Sequence, residues 1–411
     1  MKMTFNKKKI VTVLSVFIMI FVSLETILFG TNKNEMIKNV GYVIIGALAG
    51  VVALCTILEN KKIDIRIFVS MIAFLSLSAL TILISLDSFS KYVYEFAIII
   101  LAAFFCMYVS FAEFAKIYKK IIFIFAICSI ATFALYEISY SFVGLFPAIK
   151  NLNNIDFYFF GLSAEQEMLP YIMHRSYGIF REPGVYVFYL ILALIFELFC
   201  DETLNKKHII VLIIATLLTF STAGWIVFTL VLLTYLLFGK NKKATSTKIF
   251  VAMILFVGMV VIFNSSDIMS KVFGKLFFDN TSTSARFDSL KINVKMVFDN
   301  IEHLFTGLGY TFVENNFRYY AALVGSTAKD NTNTFSRMFS IHGIGYLGFF
   351  CVLLFKFRKR LSTNKIASVL LFIAIVLLMF NENYTLNVLI YVLSFYSLKT
   401  GRNKEVNGEL S

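Results

Sequence analysis

The chain has 411 residues, of which 59% are hydrophobic and only 15% are charged, and its mean hydropathy is +0.80. Soluble globular proteins carry a smaller apolar fraction and about a quarter of charged residues, so this composition excludes that class and indicates a chain solvated by lipid. The net charge of +13 does not indicate nucleic-acid binding, because lysine and arginine hold the loops of membrane proteins in the cytoplasm. No nucleic-acid partner is expected.

Apolar runs recur along the chain and predict an all-α polytopic membrane protein with about twelve transmembrane helices. These form a single transmembrane domain over residues 1–398. The first run follows a lysine triplet and has no small-residue cleavage site, so we interpret it as a retained span and not as a signal peptide. The predicted spans are residues 10–30, 40–58, 67–86, 96–115, 121–139, 184–200, 209–223, 224–238, 249–264, 339–355, 367–380 and 385–398.

Two of the apolar stretches, 209–238 and 367–398, are too long for one crossing. Each has about thirty residues, or roughly 45 Å as a helix against a hydrocarbon core of about 30 Å. Polar residues interrupt the first at 221–224 and the second at 381–383, so both stretches are predicted to be hairpins of short helices. Such hairpins leave a depression that can admit a lipid tail from the side and a headgroup from above.

Basic residues fix the predicted orientation. With the amino terminus in the cytoplasm, most of the 38 lysines and arginines fall on cytoplasmic segments, and the short outer loops carry only Lys33, Lys38 and Lys91. This bias places both termini, including the polar tail 399–411, in the cytoplasm. The chain is therefore expected to be a multi-pass protein of the plasma membrane.

Two long polar segments, about 140–183 and 265–338, are predicted to lie outside the membrane. In the second, apolar residues at helical spacing predict an amphipathic helix that lies on the membrane surface or caps the bundle. The residues of that pattern are Phe287, Leu290, Val294, Val297, Phe298, Ile301, Leu304 and Phe305.

The cysteines and histidines predict neither a metal site nor a disulfide framework. All five cysteines lie in apolar runs without CxxC spacing, and the histidines lack metal-ligand spacing. The sequence has no P-loop, nucleophile elbow or H-E-x-x-H motif. No metal and no cofactor are expected.

The densest polar cluster is HRSYGIFREPG, residues 174–184, which leads directly into the sixth predicted span. Guanidinium groups above a span suit a lipid-linked diphosphate, because they remain charged and can bind phosphate oxygens in a bidentate manner. The alternative is anchoring by ordinary lipid headgroups. The same two interpretations apply to Arg286, at the start of the surface helix, and to Arg337, just before the tenth span.

Carboxylates inside spans are costly and usually functional or paired. Glu25, Glu113, Glu137 and Glu197 lie near predicted span ends, where water can reach them, so no catalytic role is assigned to them. Glu382 differs, because it lies at the tip of a predicted outward hairpin and can approach a shared cavity.

The chain resembles the Wzy-type polysaccharide polymerase and O-antigen ligase superfamily, and most closely the capsular or exopolysaccharide polymerases of Gram-positive bacteria. The resemblance is carried by the two R-x-x-G elements of RSYGIFREPG, the break TFSTAG, the segment RFDSLKINVKMVF leading to FTGLGY, and NTNTFSRMFSIHGIGYLGFF. It covers about residues 175–350. Many ligases have a histidine a turn or two above the glycines of the helix that follows the large loop. Here Asp330, Asn331 and Asn333 take that place, and His342 lies too close to Gly343 to substitute, which favours the polymerase branch.

The resemblance implies metal-independent, inverting glycosyl transfer from an undecaprenyl-diphosphate-linked glycan to another lipid-linked repeat unit. Such a reaction needs stabilisation of the departing diphosphate and a base for the acceptor hydroxyl. Diphosphate binding is assigned to Arg175, Arg181, Arg286, Arg337 and Asn333. Glu182 is the leading candidate for the base, followed by His174 and Glu382.

The expected partners are lipid-linked oligosaccharides, membrane lipids, and the flippase and chain-length regulator of the same pathway. An alternative is a lipid-linked oligosaccharide flippase, although transporters place functional charges near the midplane and show repeat symmetry, neither of which is found here. An O-antigen-ligase-like transferase and a cell-wall glycosyltransferase of the shape and division type are further alternatives.

Overall fold

The computed structural model describes residues 7–152, 155–158, 162–168, 173–200, 204–239, 280–328 and 330–399. Fifteen helices and four strands are numbered here in chain order within those ranges. The helices are α1 Lys7–Phe21, α2 Ile27–Gly30, α3 Glu35–Leu58, α4 Ile65–Ser85, α5 Val93–Tyr108, α6 Phe111–Ile138, α7 Tyr140–Val143, α8 Pro183–Ile195, α9 Lys206–Leu218, α10 Thr222–Phe238, α11 Asn280–Phe298, α12 Gly309–Leu323, α13 Thr334–Leu361, α14 Lys365–Asn381 and α15 Val388–Tyr396. The strands are β1 Ala148–Lys150, β2 Asp156–Tyr158, β3 Ser163–Met168 and β4 Met173–Gly178.

Six helical segments of the described residues are long and apolar enough to cross a membrane, and the chain is a polytopic membrane protein. They are Glu35–Leu58, Ile65–Ser85, Phe89–Tyr108, Phe111–Ile138, Pro183–Cys200 and Thr334–Leu361. Two shorter apolar helices, Thr222–Phe238 and Lys365–Asn381, lie in the predicted hairpins. The count of about twelve spans stays a prediction, and the predicted span 249–264 lies outside the described residues.

Both predicted hairpin breaks are confirmed, and side-chain caps explain them. α9 ends at Leu218 and α10 begins at Thr222, where the Ser221 hydroxyl accepts a hydrogen bond from the main-chain nitrogen of Gly224 (3.3 Å). In the second stretch Asn387 caps α15 by accepting from the nitrogen of Leu389 (2.8 Å). Each cap satisfies an N–H group that a continuous helix would have bonded to its preceding turn.

Two predicted spans have the wrong bounds. The first is not continuous from residue 10 to 30, because α1 ends at Phe21 and α2 begins only at Ile27. The fourth does not continue to residue 115, because Val109 is extended and Ser110 caps a new helix. The first break contains Ser23, Glu25 and Thr26, and the second contains Ser110, but each lies within a longer apolar run, so hydropathy averaged over a whole span did not reveal them.

The segment about 140–183 contains a small sheet that the sequence analysis did not predict. Its four strands pair antiparallel in the order β1-β2-β3-β4, and β4 packs against α6, α8 and α9. The strands are short and polar, and the alternation needed to identify them is weak. The all-α prediction therefore holds for the helical membrane bundle but not for this segment.

The predicted surface helix exists as α11, and its contact with the membrane surface stays a prediction. α11 packs on α12 and α13 and buries Ser289, Ile292, Asn293 and Met296 as well as Val297, whereas the predicted anchors Phe287 and Phe298 are more than half exposed. The predicted apolar pattern therefore includes Val297, which packs on the protein, and Phe287 and Phe298, which the protein leaves exposed.

Helices α8 and α15 lie at the centre of the bundle. Every residue of α8 except Gly184 is buried, and so is every residue of α15. α3 and α4, by contrast, expose large apolar side chains such as Val43 and Leu83. The polar residues next to the ends of α8 and α15 therefore lie beside the buried centre of the bundle.

Candidate functional site

The turn between α14 and α15, residues 381–384, joins several parts of the chain. Its main-chain groups accept and donate hydrogen bonds at the start of α13: the Thr334 hydroxyl donates to the oxygen of Glu382 (2.6 Å) and accepts from the nitrogen of Tyr384 (2.9 Å). The turn is thereby fixed against α13. We call residues 381–384 the arginine turn, because two arginines from other elements also bond to it.

Arg181 reaches the arginine turn from the loop before α8. Its Nη2 donates to the main-chain oxygen of Asn383 (3.0 Å), and its Nε donates to the Glu25 carboxylate (3.1 Å). The side chain is 22% exposed. Burial lowers the pKa of Arg181, but the carboxylates of Glu25, Glu182 and Glu382 outweigh it and raise the pKa overall. The guanidinium is therefore firmly cationic.

Arg286 reaches the same turn from α11. Its Nε donates to the main-chain oxygen of Asn381 (3.1 Å), and its Nη2 lies 3.9 Å from Oε1 of Glu382. Asn381 and Asn383 flank Glu382, so the two arginines approach neighbouring positions of one turn. The structure thus brings together Arg181 and Arg286, which are 105 positions apart in the sequence.

Arg175 lies on β4, and its Nε donates to the main-chain oxygen of Thr219 (3.0 Å) at the break between α9 and α10. Burial lowers the pKa of the Arg175 guanidinium, while the charges of Glu182 and Glu382 oppose this effect. The same two carboxylates act on Arg181. Arg175 therefore belongs to the same electrostatic cluster, although it does not bond to the arginine turn.

Glu182 is the exposed carboxylate of this cluster. It is the residue before Pro183, which starts α8, and its side chain does not cap the helix. Its charge acts on Arg175, Arg181, Glu25 and Glu382. A carboxylate that is accessible and close to several cations can accept a proton from a bound hydroxyl group.

Glu382 is nearly fully buried and lies against the first turn of α8. A Cβ atom at Gly184 would overlap its Oε1, so the glycine of the second R-x-x-G element leaves room for this carboxylate. Burial and the charge of Glu182 raise the pKa of Glu382 to about 8, although Arg286 and Arg181 act in the opposite direction. At neutral pH it is mostly protonated, which makes it a weaker candidate for a base than Glu182.

His174, the other candidate base, does not face the arginines. It alternates with Arg175 along β4, and neighbouring strand residues point to opposite faces. Its Nδ1 lies 2.6 Å from the carboxylate of Glu137, and its ring packs edge-on against Tyr136. Both contacts are with the end of α6, so the structure separates His174 from the arginine turn.

Asn333 and Arg337 lie one turn apart at the start of α13. The Asn333 side-chain oxygen caps the helix by accepting from the nitrogen of Ser336 (3.0 Å), and its Nδ2 is buried with no hydrogen-bond partner among the described residues. Arg337 bonds to Glu314 (3.3 Å), a carboxylate that Lys91 also contacts (2.7 Å). Arg337 is thus partly neutralised, although its charge still acts on Glu25.

The FTGLGY motif has a structural role. α13 is kinked at Gly343, whose φ is +77° and ψ −179°, and Gly307 also has a positive φ of +77°. A Cβ at Gly307 would overlap the oxygen of Ile341. The nitrogen of Leu308 donates to the oxygen of Ser340 (2.8 Å) at this close approach. The glycines allow two backbones to pack, and no phosphate cradle is needed to explain them.

A buried polar cluster around Glu95 was not predicted. The carboxylate of Glu95 accepts hydrogen bonds from Ser78 (2.8 Å), Tyr310 (3.0 Å) and Tyr346 (3.1 Å), and Nε2 of His342 lies 3.3 Å away. All of these side chains are buried. The cluster joins α4, α5, α12 and α13, and it holds the only histidine of α13 away from solvent.

Glu25 is the site residue that the sequence analysis missed. It was set aside as a carboxylate near a span end, yet it is 4% exposed and pairs with Arg181. A polar residue within an apolar run was the available signal. Among the described residues, no three histidine, cysteine, aspartate or glutamate side chains come together as metal ligands.

A family model described as "Wzy_C: O-Antigen ligase" matches residues 208–344. The match contains Thr219, Arg286, Asn333 and Arg337, whereas Arg181 and the arginine turn lie outside it. No curated protein matches the chain.

Proposed function

Since the chain belongs to the Wzy-type polymerase and O-antigen ligase superfamily, whose members transfer lipid-linked glycans, we propose that it polymerises undecaprenyl-diphosphate-linked oligosaccharide repeat units. The product is a polysaccharide of the capsular, exopolysaccharide or O-antigen type. The observation that carries this proposal is the meeting of Arg181 and Arg286 at one turn beside the start of the central helix α8. Two guanidinium groups at a helix amino terminus favour the binding of a diphosphate.

In the proposed reaction an acceptor hydroxyl attacks the anomeric carbon of the donor glycan. The new bond joins the hydroxyl oxygen to that carbon, the bond from the carbon to the diphosphate oxygen breaks, and its electron pair leaves with the undecaprenyl diphosphate. Attack opposite to the leaving group inverts the anomeric configuration. Arg181 and Arg286 stabilise the charge of the leaving diphosphate, and Arg175 adds to the local positive potential.

Glu182 is our proposed base for the acceptor proton. It is exposed, and its charge acts on Arg175 and Arg181. Glu382 is buried beneath the diphosphate site and is better suited to adjusting its charge. Asn333 and Arg337, at the start of α13, are proposed to hold polar groups of the substrates farther from the arginine turn.

The positions of His174 and His342 favour the polymerase over the ligase branch. In the described part of the chain, His174 bonds to Glu137 on the other face of β4, and His342 is 1% exposed. Neither can act on a hydroxyl at the arginine turn from these positions. We propose that the site lies on the extracytoplasmic side of the single transmembrane domain. The short loops on the other side carry most of the basic residues, which is typical of cytoplasmic loops.

The test is reconstitution of the purified protein in lipid vesicles with an undecaprenyl-diphosphate-linked repeat unit, with chain length scored on a gel. Wild-type protein is expected to give a polymer ladder, and Arg181→Ala and Arg286→Ala are expected to lose it. Arg66→Ala is the matched control, because the exposed Arg66 pairs with Asp64 at the start of α4 (2.7 Å). Ladders that survive both substitutions would refute the assigned site. Movement of the lipid-linked unit across the bilayer without a ladder would indicate a flippase.

A further inference from the structure

The break in the first membrane helix lies directly beside the segment that carries Arg181. Between α1 and α2, Thr26 forms an antiparallel bridge with Phe180. The nitrogen of Arg181 donates to the oxygen of Glu25 (2.8 Å), and a second main-chain bond joins Ile27 to Ile179 (3.0 Å). Two segments far apart in the sequence are thereby fixed to each other through their backbones, independently of any side chain.

The side chain of Glu25 uses this fixed position to bond to Arg181. Its Oε2 accepts from Nε of Arg181 (3.1 Å), and the carboxylate is 5% exposed against 22% for the arginine. An arginine has five N–H donors. Glu25 occupies the Nε donor and Asn383 one donor of Nη2, so these two bonds leave both N–H groups of Nη1 and one of Nη2 for other acceptors.

We propose that Glu25 is a positioning residue for Arg181, holding the Nε edge of its guanidinium so that the other edge faces the diphosphate of the lipid-linked substrate. This inference rests on the proposed function and extends the site to the segment between α1 and α2. Glu25 acts through Arg181 and does not itself touch the substrate, because its carboxylate is buried.

A competing role for Glu25 predicts the opposite sign. A carboxylate near an anion site repels the anion, so a Glu25 that only neutralised Arg181 would weaken diphosphate binding, and its removal would tighten it. A positioning Glu25 strengthens binding, since an arginine without its buried partner loses its fixed orientation. The direction of the change therefore distinguishes the two roles.

The test measures the affinity of the full-length protein in nanodiscs for undecaprenyl diphosphate. Glu25→Ala is expected to weaken binding about tenfold, the range expected for loss of a buried charged hydrogen bond. Glu25→Gln retains an acceptor oxygen and is expected to keep most of the affinity. Arg181→Ala is expected to weaken binding at least as much, and adding Glu25→Ala to it should produce no further loss, because the two residues then act as one unit.

The matched control is Glu113→Gln, which removes the carboxylate that ties α1 to α6 through Lys8 (3.2 Å). It is expected to leave the affinity unchanged, and thermal unfolding of every variant checks that the chain still folds. Affinity that is unchanged or higher in Glu25→Ala would overturn the positioning role. The role would also be overturned if Glu25→Ala lowered the affinity of the Arg181→Ala variant as much as it lowers that of the wild type. If wild-type protein fails to bind the lipid, or if Arg181→Ala binds it normally, the proposed function fails first and this inference with it.

Discussion

The glycine at position 184 gives the most direct test of how the arginine turn is packed. A Cβ atom there would overlap Oε1 of Glu382, so Gly184→Ala forces the buried carboxylate to move. Glu382 cannot retreat freely, because its main-chain oxygen accepts a hydrogen bond from the Thr334 hydroxyl (2.6 Å) and its side chain is almost fully buried.

The expected cost combines two opposing effects. Alanine is preferred over glycine inside a helix by about 1 kcal/mol, but inserting a methyl group into a packed site costs about 1–3 kcal/mol. We therefore expect Gly184→Ala to destabilise the protein by up to about 2 kcal/mol. Moving the carboxylate also disturbs its 3.9 Å approach to Arg286, so polymerisation is expected to fall together with stability.

The assay is thermal unfolding in detergent, combined with the polymer ladder. Gly46→Ala is the control, because a Cβ at Gly46 of α3 would meet nothing within 4 Å; it is expected to be neutral or slightly stabilising. In a Glu382→Ala background the space is vacated, and Gly184→Ala should no longer destabilise. An equal loss of stability with and without the Glu382 side chain would refute the packing argument.

Three further predictions concern charge, backbone strain and the buried cluster. Burial raises the pKa of Glu382 to about 8, so its neutral form predominates below that pH and its ionised form, which repels an anion, predominates above it. The affinity for undecaprenyl diphosphate should therefore fall as pH rises through about 8 in the wild type. The same pH change should leave the affinity of Glu382→Gln unchanged. Gly343→Ala should lower the thermal stability by about 1–3 kcal/mol, because φ is +77° and ψ −179° there, whereas Gly348→Ala, with no atom within 4 Å, should be tolerated on the same helix. Tyr310→Phe removes one donor from the buried carboxylate of Glu95 and should cost about 1–3 kcal/mol in unfolding experiments; an unchanged melting temperature would show that Ser78 and the other donors suffice.

The predicted site could be assembled from the sequence only in part. Arg175 and Arg181 lie in one visible motif, and Arg286 was identified from its place at the start of the surface helix. Nothing in the sequence indicated that Arg181 and Arg286 reach the same turn. Which residues meet depends on how α8, α11 and the α14–α15 turn pack, and packing depends on contacts between residues far apart in the chain.

Separate reasons explain the residues that were assigned differently. His174 was grouped with Arg175 because they are adjacent, yet adjacent residues of a strand face opposite sides, and the strand itself was not predicted. Glu25 was set aside because its position near a span end suggested contact with water. The first helix breaks at that point, and the backbone bonds to Ile179 and Arg181 remove the carboxylate from solvent.

The sequence by itself determined the class of the protein and the two hairpin breaks. Hydropathy is a sum over neighbouring residues, and a polar cap such as Ser221 or Asn387 acts within its own turn. Membrane spans and helix breaks therefore depend on residues that are close together in the sequence. Only the tertiary structure decided that Arg181 and Arg286 converge on one turn and that Glu25 pairs with Arg181. Those contacts join residues that are 95 to 202 positions apart, and their geometry exists only after the central helices have packed.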